Sequence, residues 1–199
     1  MAKRNALTKD DWARAALDDI GSGGVDAVTV EGLARRLGVT KGSFYWHFSE
    51  RAAVLEAALS LWERAATLDI IDELSDVADP RERLSQLFDA SFGDAEGGAL
   101  DAALLSRTDD PVVRPVIDRV HAARIAFLYE AFADLGLPPA RAARQARITY
   151  ASYVGHFVIR RALPHDRHLG RPNRAYLQQL LEAVASRPLD GTPVSRPRP

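Results

Sequence analysis

The chain has 199 residues, 47% hydrophobic and 27% charged, which suits one soluble domain or one domain with a small appendage. Its 26 basic and 27 acidic residues leave a net charge of −1, which excludes a histone-like or RNA-coating protein but not a local basic face. There is no cysteine, so disulfides, thiolate metal sites and cysteine redox switches are excluded.

In chain order, the start Met1-Ala2-Lys3-Arg4-Asn5 has no apolar run behind it and does not read as a secretory signal. No stretch is long and apolar enough to span a membrane, so a cytoplasmic address is expected. Thr8, with Asp10 and Asp11 behind it, predicts a helix over 8–21, with Trp12, Ala13, Ala16, Leu17 and Ile20 at helical spacing. Gly21 to Gly24 stops it. Thr29 caps a short helix over 30–37, Gly38 ends that, and Thr40 caps a third over about 41–47. Ser49 is expected to cap a long helix from 50 to about 74. Asp79-Pro80 opens the next helix, with Pro at its first position. Gly93 to Gly98 reads as a break, and 99–106 as a short helix. Asp110-Pro111 opens a helix running to Phe132, and 139–162 is a long one. A Pro/Gly loop over 163–173 precedes a last helix over 174–186. The tail 188–199 is Pro-rich and reads as disordered. Ala occurs 33 times and Arg outnumbers Lys 23 to 3, so the composition also leans all-α.

The stretch from Thr29 to Leu55, TVEGLARRLGVTKGSFYWHFSERAAVL, carries the most information. Two short helices are joined by Leu37-Gly38-Val39-Thr40. Leu33, Leu37, Val39, Phe44 and Phe48 would form a core beneath both. Lys41, Ser43, Tyr45, Trp46 and His47 are left pointing elsewhere, the spacing of a helix-turn-helix whose second helix enters the major groove. The outward types suit DNA. Lys41 can reach a base or a phosphate, and Gly42 lets the backbone approach. Thr40, Ser43 and Tyr45 offer hydroxyls, and Trp46 and His47 offer ring N–H donors. Arg51 stands at the start of the fourth helix. Segment 29–51 holds four basic residues (Arg35, Arg36, Lys41, Arg51) against two acidic ones (Glu31, Glu50). Few phosphate contacts and a moderate salt dependence follow. Lys3 and Arg4 could add a basic arm. Helix pairs with a Gly turn also occur in proteins that never touch DNA, and Arg35 and Arg36 could simply be a solvated face.

Residues 8–55 resemble the N-terminal DNA-binding domain of the TetR family of bacterial transcriptional regulators. The resemblance rests on Ala16 and Ile20, on VEGLARRLGVTKGSFYWHF, and on Ser49, Arg51 and Leu55. It implies an all-α fold of about nine helices. A three-helix DNA-binding domain over 1–51 would precede a helical ligand-binding and dimerisation domain over 52–187. It further implies a homodimeric regulator, usually a repressor, released from a palindromic operator on double-stranded DNA by a small-molecule effector. Position by position, Thr40, Lys41, Gly42 and Ser43 stand where bases are met. Tyr45, Trp46, His47, Thr29 and Arg51 stand where phosphates are met. Trp46 departs from the more usual Tyr or His, and the first helix is unusually acidic.

The family's dimer interface falls here on helices 139–162 and 174–186. Ala142, Ala146, Ala151 and Gly155 of the first would allow close approach, unless that face is buried within one subunit. Candidate effector contacts are polar or aromatic groups on apolar faces: Trp62, Phe88, Phe92, Arg124, Phe127, Tyr150, Tyr153 and His156, with Arg107, His121 and Phe157 beside them. Each aromatic could equally be ordinary core. Arg124 and His156 are less ordinary, because a buried charge or imidazole needs a partner. No cofactor is implied. An enzyme is not expected: there is no phosphate loop or nucleophile elbow, and His165-Asp166-Arg167-His168 is a weak metal signal. A ligand- or partner-binding helical protein without specific DNA binding is the alternative.

Overall fold

A computed structural model describes residues 7–93, 95–163 and 165. The described residues are helical throughout, joined by short turns. The last predicted helix, 174–186, the Pro-rich tail, and Lys3 and Arg4 lie outside them.

Helix α1 (Lys9–Gly23) starts as the sequence suggests. Thr8 Oγ1 accepts from the Asp11 backbone N–H at 3.2 Å, and the Thr8 N–H donates to the Asp11 carboxylate at 2.7 Å. The helix runs two residues further than expected and ends at Gly24, whose φ of 82° is open to glycine. Helices α2 (Val30–Arg36) and α3 (Lys41–Tyr45) follow. Thr29 caps α2 by accepting from the Gly32 N–H at 3.0 Å. Gly38, with φ of 66°, turns the chain between them.

The long fourth helix is less regular than its sequence suggests. Helix α4 (Arg51–Glu63) leads into a π-helical turn, Arg64–Leu68, and then α5 (Asp69–Ser75). Ser49 does not cap it. Glu50 occupies the cap position and gives no side-chain bond. The start of α4 is held by tertiary bonds instead: Arg51 donates from Nε to the Val28 carbonyl at 2.7 Å and from Nη2 to that of Val25 at 2.6 Å.

Helices α6 (Pro80–Gly93), α7 (Ala95–Leu105), α8 (Val113–Asp134) and α9 (Pro139–Ala162) complete the described chain. The expected break at 93–98 is largely helix, since α7 opens at Ala95 and includes Gly97 and Gly98. Glycine is a poor helix former, but packing overrides that here. A Cβ on Gly98 would lie 2.1–2.3 Å from three ring atoms of Phe157, so only glycine lets α7 and α9 close up.

Two apolar clusters result. The first holds Trp12, Ile20, Leu33, Phe44, Phe48, Leu55 and Leu59 and continues through Leu104, Val113 and Val116. The helix-turn-helix head is therefore joined to the body through shared side chains across residue 51. The second holds Leu84, Phe88, Phe92, Phe132, Ala142, Ala146, Tyr150 and Phe157. Ala142 and Ala146 are fully buried inside the chain, which removes them from the expected dimer face. The opposite face of α9 shows Ile148, Val158 and Ile159, each more than 40% exposed.

Candidate nucleic-acid interface and effector cavity

The head is built on Trp12 and Phe44, both fully buried and packed edge to face at 5.4 Å. Phe48 closes the stack against Phe44 at 5.6 Å. These rings hold α3 so that its other side faces outward. Trp46 is 89% exposed and Tyr45 61% exposed, which is unusual for large aromatic side chains. Thr40, Lys41 and Gly42 are exposed beside them, while Ser43 and His47 are half-buried. His47 leans toward Trp12, 6.3 Å between ring centres.

The cations are less free than their number suggests. Lys41 is paired with Glu31, and Arg36 with Asp19. Lys41 must therefore exchange Glu31 for any phosphate or base. The bonds from Arg51 to Val25 and Val28 spend two of its donor groups on the head's own backbone, whereas the Thr29 cap uses only an acceptor lone pair and leaves its O–H able to donate. The outward face is thus mainly hydroxyl, aromatic and peptide surface.

A second feature lies in the body. A cavity of about 480 Å³ opens between α4, α6, α7, α8 and α9. Its walls include Trp62, Phe88, Phe92, Phe127, Tyr150 and Tyr153. Six of the expected aromatic residues are thus brought together, and Arg124 joins them. His156 lies outside the lining. It is buried edge-on against Phe157 and Phe92, and its Nε2 has no hydrogen-bond partner among the described residues. Burial, with Arg160 adding to it, pushes the His156 pKa below the ordinary histidine value. Arg107 pairs instead with Asp26 and Asp109, and exposed His121 meets Tyr150 edge-on at 5.0 Å.

The residue that sequence reasoning missed is Asp101. It is only 4% exposed and stands at the centre of the polar wall. It accepts from Trp62 Nε1 at 3.1 Å, from the Tyr153 hydroxyl at 2.8 Å, and from Arg124 Nη1. Arg124 also donates from Nε to Thr67 Oγ1 at 2.9 Å and from Nη2 to the Ala66 carbonyl at 3.0 Å. Its guanidinium lies 5.7 Å from the Trp62 ring centre and 5.8 Å from that of Tyr153. Burial opposes the Arg124 charge, but the adjacent Asp101 carboxylate outweighs it and raises the pKa above the usual arginine value. Burial, reinforced by Asp101, likewise raises the Tyr153 pKa, so its phenol stays protonated. A lone acid within the apolar run Ala99–Leu105 was the available signal for Asp101.

A helix-turn-helix head joined to an all-helical body with an internal cavity defines the class of this protein. Residues 14–58 match the family described as bacterial regulatory proteins, tetR family. The sequence match to that family is confined to the head. The chain is 33% identical over 78 residues to the HTH-type transcriptional regulator SrpR of Pseudomonas putida, 37% of each chain. It is 50% identical over 44 residues to the class A tetracycline repressor protein from transposon 1721 of Escherichia coli, 22% of this chain and 20% of that one. Both matches span well under two thirds of the relative's length. In fold it is similar to the transcriptional regulator FadR of Bacillus subtilis in complex with stearoyl-CoA. The TM-score is 0.67 at 16% identity, covering 90% of this chain and 98% of that one. No helix among the described residues is long and apolar enough to cross a membrane.

Proposed function

We propose that the protein is a ligand-responsive transcriptional regulator, a repressor that binds a palindromic operator as a homodimer. The observation that carries this is the outward face of α3, with exposed Trp46 and Tyr45 standing beside Thr40, Lys41 and Gly42 on a rigid aromatic core. Ser43 and His47 flank the same face, and Thr29 and Arg51 hold its supports in place. In this reading residues 1–51 read DNA, residues 52–187 bind the effector and dimerise, and 188–199 is a tail. The dimer uses α9 together with the segment 174–186, which lies outside the described residues. On α9 its face is that of Ile148, Ala151, Gly155, Val158 and Ile159 rather than that of Ala142 and Ala146.

The cavity is the effector site. Arg124 links it to the head, because it grips Ala66 and Thr67 within the π-helical turn of the helix that begins at Arg51. π-Helical turns recur at functional sites, and one of them here lies between cavity and head. A ligand that favours one arrangement of this turn shifts the spacing of the two reading heads, which must match successive major grooves about 34–36 Å apart.

The test is genome-wide mapping of DNA bound by the full chain, followed by gel shift and sedimentation. Enrichment of one inverted repeat, bound by a dimer, is expected. Recovery of DNA without a shared sequence, or a monomer at micromolar concentration, would refute the reading in favour of a helical binding protein without specific DNA recognition.

A further inference from the structure

The polar wall of the cavity allows its ligand class to be read, on the premise that the cavity is the effector site. Asp101 accepts three hydrogen bonds, from Trp62, Tyr153 and Arg124. A guanidinium carries five N–H groups. Three of those on Arg124 are spent on Thr67, Ala66 and Asp101, and the guanidinium also lies against the Tyr150 hydroxyl oxygen, which leaves at least one free and the Tyr150 O–H as a further donor. The Tyr150 hydroxyl lines the same wall and donates to no group among the described residues. Asp101 keeps only about one of its four lone-pair sites, so the unspent hydrogen-bonding capacity near Arg124 is mainly donor capacity.

Charge narrows the class further. Arg124 and Asp101 cancel each other, and both side chains are at most 14% exposed. Arg14, the other charged lining residue, is exposed. An anionic ligand would meet Asp101 as well as Arg124. A cationic ligand would meet the Arg124 guanidinium, which already lies over the faces of Trp62 and Tyr153. Either would bury a charge without an equal partner, and such burial is strongly unfavourable. The rest of the wall is apolar and aromatic, and the volume suits a molecule of two or three fused rings.

We propose that the cavity takes an uncharged, mainly apolar molecule that directs a carbonyl-type acceptor at Arg124 and Tyr150. Aryl ketones, quinones and esters belong to this class.

Four probes on one skeleton test it by calorimetry with the full chain: 2-acetylnaphthalene, 2-ethylnaphthalene, 2-naphthoate and 2-naphthyltrimethylammonium. The ketone should bind about tenfold tighter than the ethyl compound, the worth of one good hydrogen bond. Both charged probes should bind about tenfold or more weakly than the ketone. In Tyr150→Phe, checked for an unchanged Tm, the advantage of the ketone over the ethyl compound should shrink while ethyl binding holds. Naphthoate or the ammonium binding as tightly as the ketone overturns the proposal. Equal binding of ketone and ethyl compound overturns the acceptor while the cavity still binds ligand. If none of the four binds, the effector-site reading falls together with the ligand class.

Discussion

Replacing Asp101 with Asn tests whether the buried ion pair governs the body of the protein. The change removes the charge, leaves Arg124 without its counter-ion, and turns one acceptor of Trp62 and Tyr153 into a donor. Breaking a buried pair from one side costs about 3–5 kcal/mol. The cavity beside Arg124 can admit water to the orphaned guanidinium, so the lower end of that range is expected. Each kcal/mol moves Tm by about 2–4 °C in a chain of this size. The expected loss is therefore at least about 6 °C, measured by thermal denaturation at fixed protein concentration. The double variant Asp101→Asn/Arg124→Met removes both charges and should recover a large part of that loss. A drop below about 1 kcal/mol for the single variant, or strictly additive effects in the cycle, would refute the pairing as an energetic element.

Other consequences can be checked separately. Gly98→Ala places a Cβ against the Phe157 ring and should cost about 1–3 kcal/mol, seen as a lower Tm; Phe157→Leu in the same chain should restore part of it. Arg51→Ala removes two bonds to backbone carbonyls and should lower stability by about 1.5–3 kcal/mol by denaturant melt. An unchanged melt would instead leave Arg51 as a phosphate contact alone. Lys41→Ala should leave Tm unchanged, weaken operator binding across sequences, and reduce the salt slope by about 1 in a titration series. His156 is held neutral by burial, so its folded pKa lies below its unfolded value near ~6.5. Its contribution is complete above that value and is lost as pH falls through it toward the folded pKa. Between pH 7.5 and 5.5, His156→Phe should therefore lose less Tm than the parent chain; parallel curves would contradict this.

Much of the head was legible in the sequence because its signals are local. Caps at Thr8 and Thr29, glycines at 24 and 38, and the apolar spacing of Leu33, Phe44 and Phe48 act within a few residues of where they stand. The bounds of α9 were legible for the same reason, with Pro139 opening a long run of helix formers. The π-helical turn was not, because nothing in Arg64–Leu68 demands it. Nor was the helix through Gly97 and Gly98, which local propensity opposes and the Phe157 ring requires.

For the candidate sites the same division holds. The aromatic residues of the cavity could be named from their types and spacing, but not told apart from core, since a ring on an apolar face serves either purpose. Residue order and chemistry alone determined an all-helical chain with an outward-facing α3. Only the tertiary structure brought Asp101 of α7 to Arg124 of α8 and Tyr153 of α9, and turned Arg51 and Lys41 toward partners of their own. Those pairings join residues 10 to 52 positions apart, and side chains so distant in sequence meet only once the helices have packed.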